Sequence, residues 1–211
     1  RRPPESTLFP YTTLFRSHVD SGNWLSACHI CFPVAEEMVK ALQFADDSDG
    51  DIGGNIETAF EILDSVAASD RPEEIRAYML DQVLHYYRKN VFSGWDWHTD
   101  LLGLAVELVK TGKEAGKVLS LIHAHVHSEY EGEQMTMLEY ELIRKMKGDD
   151  EADKFASQNL DTPELRRKAL EKALMDKDFE KAKSLAQAGI KNDAETKPGL
   201  AKEWYDWLLR T

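Results

Sequence analysis

Apolar residues recur at three- and four-residue spacing along most of the chain from Ser26 onward, which predicts a series of amphipathic helices. The first predicted helix has Pro33 in its first turn, where proline is favoured. Its apolar positions are Ala35, Met38, Val39 and Leu42. The second has apolar positions Ile52, Ile56, Phe60, Leu63 and Val66. No segment alternates apolar and polar residues as a half-buried strand does.

Capping and breaking residues predict where the later helices begin and end. Asp70 is expected to cap a third helix with Pro72 near its first turn, and Gly112 to stop a fourth helix over residues 95–110. The inward positions of the third helix are Ile75, Met79, Val83 and Tyr86. Six further helices are predicted over residues 114–125, 130–147, 149–159, 162–175, 179–190 and 200–210.

The predicted fold is all-α, with antiparallel helical hairpins stacked as a short, tetratricopeptide-like α-solenoid of about nine or ten helices. Short connections make neighbouring helices antiparallel. Ala115, Ala152 and Ala182 each follow a polar turn and precede apolar residues, as a weak helical-hairpin repeat requires. A non-repeating helical bundle with similar turns is the alternative.

The N-terminal segment is expected to lie outside the natural domain. Thr7 to Ser17 reads TLFPYTTLFRS, which resembles a translated sequencing adapter, and its aromatic residues follow neither a helical nor a strand period. We therefore predict that residues 1–17 are an artefact or a disordered arm. Residues 18–211 are expected to form one helical repeat-like domain, a fragment of a longer protein. A natural arm rich in proline and threonine is the alternative.

Three stretches of the chain resemble the helical region that follows the zinc finger in bacterial SWIM zinc-finger proteins. They are Pro33 to Gly54 (PVAEEMVKALQFADDSDGDIGG), Trp95-Asp96-Trp97 ahead of Leu101 and Leu102, and Gly199 to Leu209 (GLAKEWYDWLL). The resemblance implies a scaffold attached to a finger whose Cys-x-Cys and Cys-x-His ligands have no counterpart here. Zinc, and any nucleic-acid contact, would then belong to the missing portion.

Composition and charge narrow the class of function. With 42% hydrophobic and 30% charged residues the chain is globular, and no run approaches the length of a membrane helix. We therefore expect a soluble, cytoplasmic protein without membrane contact. The net charge is −12, and residues 34–107 carry 16 acidic and 5 basic side chains, or −11. This acidity opposes binding to a phosphate backbone.

Two groups of residues suggest metal binding. Cys28 and Cys31 have the two-thiolate spacing of half a zinc knuckle, but the chain has only these two cysteines, so ordinary buried cysteines at a helix start are preferred. His123 and His127 would share one helical face while His125 points away, so at most two could bind one ion. Surface or capping histidines explain this group equally well.

An acidic loop suggests calcium binding. Its residues are Asp46, Asp47, Ser48, Asp49, Gly50 and Asp51. No register puts both glycine at the sixth position and a glutamate at the twelfth, as a calcium loop needs. We therefore prefer a helix connection in which an aspartate caps the next helix and the glycines permit a tight turn.

Catalysis has little support, and we predict that the chain is not an enzyme. There is no phosphate loop or nucleophile elbow. His98, beside Asp96 and Asp100, is the one candidate base, with a helix-start hydrogen-bonding role as the plainer interpretation. No catalytic, cofactor or metal residue is assigned in this segment.

Aromatic and basic residues suggest a protein partner of unknown identity. Trp95 and Trp97, two apart, cannot both face one helical core, so one is expected to be exposed or to precede the helix. An exposed tryptophan is a candidate binding anchor, and packing against the previous helix is the alternative. A terminal stripe, Leu200, Trp204, Trp207 and Leu208, is expected to seal the last hairpin.

A cluster of basic residues in the second half of the chain is interpreted either as a solvated helical face or as a surface that binds an acidic partner or nucleic acid. It comprises Arg166, Arg167, Lys168, Lys172, Lys177, Lys181 and Lys183.

Overall fold

A computed structural model describes residues 22–124, 129–194 and 197–209, and this part of the chain contains ten α-helices and no strand. The first five are α1 (Trp24–Leu42), α2 (Asp51–Ala68), α3 (Glu73–Arg88), α4 (Trp97–Leu108) and α5 (Gly112–Ile122). The others are α6 (Glu129–Lys147), α7 (Asp149–Gln158), α8 (Pro163–Met175), α9 (Phe179–Asp193) and α10 (Pro198–Leu208). Neighbouring helices pack against each other, which confirms the predicted all-α helical stack. None of these helices is long and apolar enough to cross a membrane.

The described part of the chain divides into two compact units, with the boundary between residues 120 and 121. In the described part of the first unit, α1 packs on α2 and α3 on α4, with further contacts between α1 and α3 and between α2 and α4. These contacts make two stacked helical hairpins. In the second unit each of the helices α6 to α9 packs on the next one along the chain. The predicted artefact, residues 1–17, lies outside the described residues.

The core of the first unit consists of the apolar faces that the three- and four-residue spacing predicts. Ile56, Leu63, Met79, Leu101 and Leu102 are all less than 2% exposed. Phe32 of α1 stacks on Tyr86 of α3, with ring centroids 5.1 Å apart. Burying side chains of this size is the main stabilising contribution to such a fold, at about 1.5–3 kcal/mol each.

Trp204 of α10 closes the core of the second unit. It is fully buried among alanine and leucine side chains of α8 and α9, which confirms that the terminal stripe seals the preceding hairpin. Its indole N–H donates to Asp193 Oδ2 at 2.5 Å, and the same oxygen lies 3.0 Å from Arg166 Nη1. Arg166 also donates from Nε to the carbonyl of Leu160. A buried charge pair of this kind needs such additional hydrogen bonds to offset its desolvation.

Three expectations about helix ends were wrong. Pro33 lies inside α1 because the buried face extends upstream through Cys31 and Cys28 to Ala27, and this packing outweighs the hydrogen bond that proline removes. Gly112 is the first residue of α5 instead of the stop of α4. Asp70 does not cap α3, whose N-cap residue is Pro72.

The three alanines of the predicted repeat occupy the same helical position. Ala115, Ala152 and Ala182 are each the fourth residue of their helix, α5, α7 and α9. Ala152 and Ala182 are fully buried, whereas Ala115 is only partly so. The equivalence therefore holds for position and not for packing, and the repeat itself stays a prediction.

Candidate protein-interaction surface

The turn between α3 and α4 is fixed to the core at its middle. Asn90 has φ 53° and Gly94 has φ 87°, a left-handed region open to glycine and tolerated by asparagine. Between them, Phe92 is fully buried and meets Phe60 of α2 edge to face, with ring centroids 5.4 Å apart. The residues that follow Gly94 are therefore presented from an anchored turn.

Trp95 and Trp97 form an exposed aromatic pair on this turn. Their rings stack with centroids 5.2 Å apart and an interplanar angle of 26°. Trp95 precedes α4 and is 48% exposed, whereas Trp97 begins the helix and is partly buried. This confirms the prediction that one tryptophan is exposed or precedes the helix. A large, rigid ring held in water by its neighbour is the kind of side chain that anchors protein interfaces.

Carboxylates gather beside the tryptophan pair. Burial and then the charge of Asp96 raise the pKa of Asp100 above its ordinary value. Burial raises the pKa of Asp64 on α2, and Glu107, Asp100 and Glu61 raise it further. Asp100 thus raises the pKa of Asp64, and Asp96 raises that of Asp100, so negative charge accumulates at α2 and the start of α4. In the described part of the chain, none of these three forms an ion pair with a basic side chain.

The net charge of residues 34–107 adds to the negative potential of these carboxylates. Residues 34–107 carry most of the net charge of the chain. Several of its basic side chains are already engaged: Arg76 pairs with Glu73 and Glu114, and Lys89 with Glu36. The tryptophan pair thus lies on an acidic part of the protein that attracts cations and repels phosphate.

Comparison with known proteins adds no relative. No family model, no curated protein and no solved structure matches the chain.

His98, the predicted candidate base, is held by stacking. Its ring lies on the buried ring of Tyr87 with centroids 4.2 Å apart and an interplanar angle of 14°. Its backbone N–H donates to the carbonyl of Trp95 at 3.0 Å. The stacking on Tyr87 and the backbone hydrogen bond account for the position of His98 at the start of α4.

Cys28 and Cys31 are both fully buried within α1. Burial raises the pKa of the Cys28 thiol to about 11, partly offset by the charge of Arg71. Burial and the neighbouring Cys28 raise the pKa of Cys31 to about 12. In residues 22–124, 129–194 and 197–209 no three His, Cys, Asp or Glu side chains converge as metal ligands. Both thiols thus lie in the buried face of α1, where burial favours their protonated form, and ordinary buried cysteines stay the preferred interpretation.

The acidic loop between α1 and α2 binds its own backbone. Asp47 Oδ1 accepts a hydrogen bond from the N–H of Ile52 at 2.7 Å, and Oδ2 accepts one from Gly53 at 2.9 Å. Asp46 Oδ1 accepts one from the N–H of Ser48 at 3.0 Å. Asp47 therefore accepts from two of the first N–H groups of α2, as predicted for an aspartate of this loop, although the N-cap residue itself is Gly50.

Several described members of the histidine group and of the basic cluster lie close to carboxylates of their own unit. His123 Nε2 lies 2.7 Å from Glu139 Oε2, and His125 and His127 lie outside the described residues. Within the basic cluster Arg166 is buried against Asp193, and Arg167 pairs with Glu203 and Glu164. Lys172 lies 3.7 Å from both Asp153 and Asp176. The solvated-face interpretation fits these pairings better than an open basic surface.

Sequence reasoning missed the polar contacts that fasten α3 to α5. Arg76, which is 3% exposed, donates to the carbonyl of Leu108 at 2.6 Å and to Glu114 Oε1 at 2.7 Å. The other oxygen of Glu114 accepts from the N–H groups of Lys110 and Thr111. A local signal was present, because Arg76 lies three and four residues before Met79 and Leu80 on the inward stripe of α3.

Proposed function

We propose that the chain is a non-catalytic helical scaffold that binds another protein through the Trp95–Trp97 surface of its first unit. The observation that carries the proposal is the stacked tryptophan pair, with Trp95 48% exposed on a turn that Phe92 anchors. An exposed ring held in one geometry loses little conformational entropy on binding, so it is suited to anchor a partner.

The surroundings of the titratable groups support a binding role over a catalytic one. The two thiols are held in their unreactive protonated form, and His98 is stacked in the packed start of α4. The buried cation Arg76 is satisfied by a carbonyl and by carboxylates of its own unit. Each of these groups has a structural use.

The experiment compares partner capture by three forms of the whole chain: unchanged, Trp95→Ala, and the control Phe44→Ala. Phe44 is 88% exposed in the same unit and lies outside the tryptophan turn. Its removal therefore shows how much capture depends on nonspecific binding to an exposed aromatic side chain. We expect a protein, identified by mass spectrometry, that the unchanged chain and Phe44→Ala retain and Trp95→Ala loses. Calorimetry with that purified partner should reproduce the difference. Equal capture by all three forms would contradict the proposal.

We further propose, on the sequence resemblance, that this scaffold is part of a SWIM zinc-finger protein. The support is the three stretches quoted above, and the finger would supply the zinc and any nucleic-acid contact. The test is the sequence of the intact gene from an independent assembly. A Cys-x-Cys and Cys-x-His pattern encoded upstream of Cys28 would support the assignment, and an unrelated upstream region would remove it.

A further inference from the structure

We infer that the segment recognised by the Trp95–Trp97 surface is an extended, arginine-rich stretch of the partner protein. This inference rests on the proposed function and names the chemistry of its ligand. The argument combines two independent features of the same surface: an exposed aromatic face and carboxylates without a basic partner in the described part of the chain.

The aromatic pair is suited to a planar cation. Stacking at 5.2 Å covers one face of the Trp95 ring with Trp97, while 48% of Trp95 remains exposed to solvent. The face of an indole carries negative electrostatic potential, and tryptophan is the strongest cation–π partner among the side chains. A guanidinium both stacks on such a ring and keeps its N–H groups free to bind carboxylates, which an ammonium group does less well.

The carboxylates near the tryptophan pair favour further basic side chains in the partner segment. Asp96 lies between the two tryptophans in sequence, and Asp100 follows one turn later on α4; both are exposed. The charge of Asp100 also raises the pKa of Asp64 on α2. Their mutual repulsion is relieved when a cation binds between them. An extended chain with arginines at intervals places one on Trp95 and the next on these carboxylates.

Charge complementarity also excludes the main alternatives as the preferred ligand. A nucleic acid would bring phosphates against a segment with a net charge of −11. An apolar amphipathic helix would have to cover Asp96 and Asp100 and remove their water, at a cost that apolar contact with one tryptophan does not offset. A basic segment removes the repulsion that is already present.

The test measures binding of a fluorescein-labelled (Arg-Gly)6 peptide to the whole chain by fluorescence anisotropy at 50 and 300 mM NaCl. A (Glu-Gly)6 peptide controls for the label and the backbone. The protein variants are Trp95→Ala, Asp96→Asn with Asp100→Asn, and two controls. Phe44→Ala removes an exposed aromatic side chain elsewhere, and Asp149→Asn with Asp150→Asn removes two exposed charges from the first turn of α7. Thermal unfolding establishes that each variant is folded.

We expect Trp95→Ala and the Asp96/Asp100 variant each to weaken binding of the arginine peptide by about tenfold at 50 mM NaCl. The Asp96/Asp100 variant should also show a smaller loss of affinity at 300 mM NaCl, because fewer ion pairs remain to be screened. Both controls should bind within about twofold of the unchanged chain. Equal weakening by the Asp149/Asp150 variant, or full affinity of Trp95→Ala, would overturn the inference.

Failure of this inference is distinguishable from failure of the proposed function. A captured partner that depends on Trp95 but contacts the surface through a segment without arginine or lysine would leave the scaffold proposal intact and refute the arginine-rich ligand. A chain that binds the peptide through Trp95 and captures no Trp95-dependent protein would support the surface chemistry and count against the scaffold role.

Discussion

Gly189 of α9 lies directly against the indole ring of Trp204 on α10. A Cβ atom added at Gly189 would come within 2.5 Å of Trp204 Cδ2 and 2.6 Å of Cγ, closer than real Cβ contacts. Trp204 cannot move away easily, because it is fully buried and its N–H is bonded to Asp193. The absence of a side chain at position 189 is therefore what allows α9 and α10 to approach.

The first prediction follows from this contact. Gly189→Ala should lower the free energy of unfolding by about 2 kcal/mol, because the gain in helix propensity is smaller than the cost of overpacking. Urea denaturation followed by circular dichroism measures the change. The control is Gly132→Ala in α6, where an added Cβ meets nothing within 4 Å. That control should raise stability by up to about 1 kcal/mol; a stabilised Gly189→Ala would show that the helices tolerate a wider separation.

The second prediction concerns Glu114 and acid. Burial alone would raise the pKa of Glu114, but Arg76 and the N–H groups of Lys110 and Thr111 lower it to about 2. A depressed folded-state pKa means that the stabilisation is complete above the unfolded value of about 4.5 and is lost as the pH falls toward 2. Glu114→Gln should therefore destabilise the chain by about 2 kcal/mol at pH 7, with the difference from the unchanged chain vanishing near pH 2.

Its control is Glu37→Gln, which removes a 72% exposed carboxylate that pairs with Lys40 on the surface of α1. Exposed ion pairs contribute little to stability, so this variant should change the free energy of unfolding by only about 0.2–0.5 kcal/mol. Urea unfolding at pH 7, 5, 4, 3 and 2.5 makes the comparison. A pH-independent difference for Glu114→Gln would mean that shape, and not the charge of the carboxylate, holds α5 to α3.

The helices were predictable because their signal is local, whereas the polar contacts between them were not. The spacing of Ile56, Phe60 and Leu63 identifies a buried helix face without knowledge of the neighbouring helix. By contrast, Arg76 and Glu114 are 38 residues apart, and no periodic pattern pairs them. Their partnership depends on how α3 and α5 are brought together by the rest of the fold.

The candidate surface was partly predictable for the same reason. Two tryptophans two residues apart cannot share one helix face, so the sequence indicated that one of them is exposed or precedes α4. The electrostatic effect of Asp100 on Asp64, which lies 36 residues away in sequence and on another helix, is a tertiary relationship. Pro33 illustrates the opposite failure, since a local rule about helix starts was outweighed by apolar residues upstream of it.

The third prediction concerns the repulsion at Asp64. Burial and the carboxylates of Glu107, Asp100 and Glu61 raise its pKa, so the ionised form is less stable in the folded chain than in the unfolded one. This penalty is present at neutral pH and disappears as the pH falls through the raised folded-state pKa. Asp64→Asn should therefore increase stability at pH 7 by roughly 0.5 kcal/mol after allowance for solvent screening, and by less at pH 4.

The control for Asp64 is Asp81→Asn, which removes an exposed carboxylate from α3. It is expected to leave stability within about 0.5 kcal/mol of the unchanged chain at both pH values. Differential scanning calorimetry at low ionic strength gives the midpoints. A destabilised Asp64→Asn at pH 7 would show that this carboxylate has a favourable partner and that the surface is not a site of repulsion.

The fourth prediction is that neither thiol reacts in the folded chain. At pH 8 a pKa of about 11 for Cys28 and about 12 for Cys31 leaves little thiolate, and both side chains are fully buried. A colorimetric disulfide reagent should therefore modify both at least about a hundredfold more slowly in buffer than in 6 M urea.

Ser157→Cys places a third thiol at an exposed position of α7, and that thiol alone should react at once. Rapid modification of Cys28 or Cys31 in buffer would refute the closed, protonated arrangement. If the purified chain contained one equivalent of zinc, and a chelator made both thiols react rapidly, the pair would instead be identified as metal ligands.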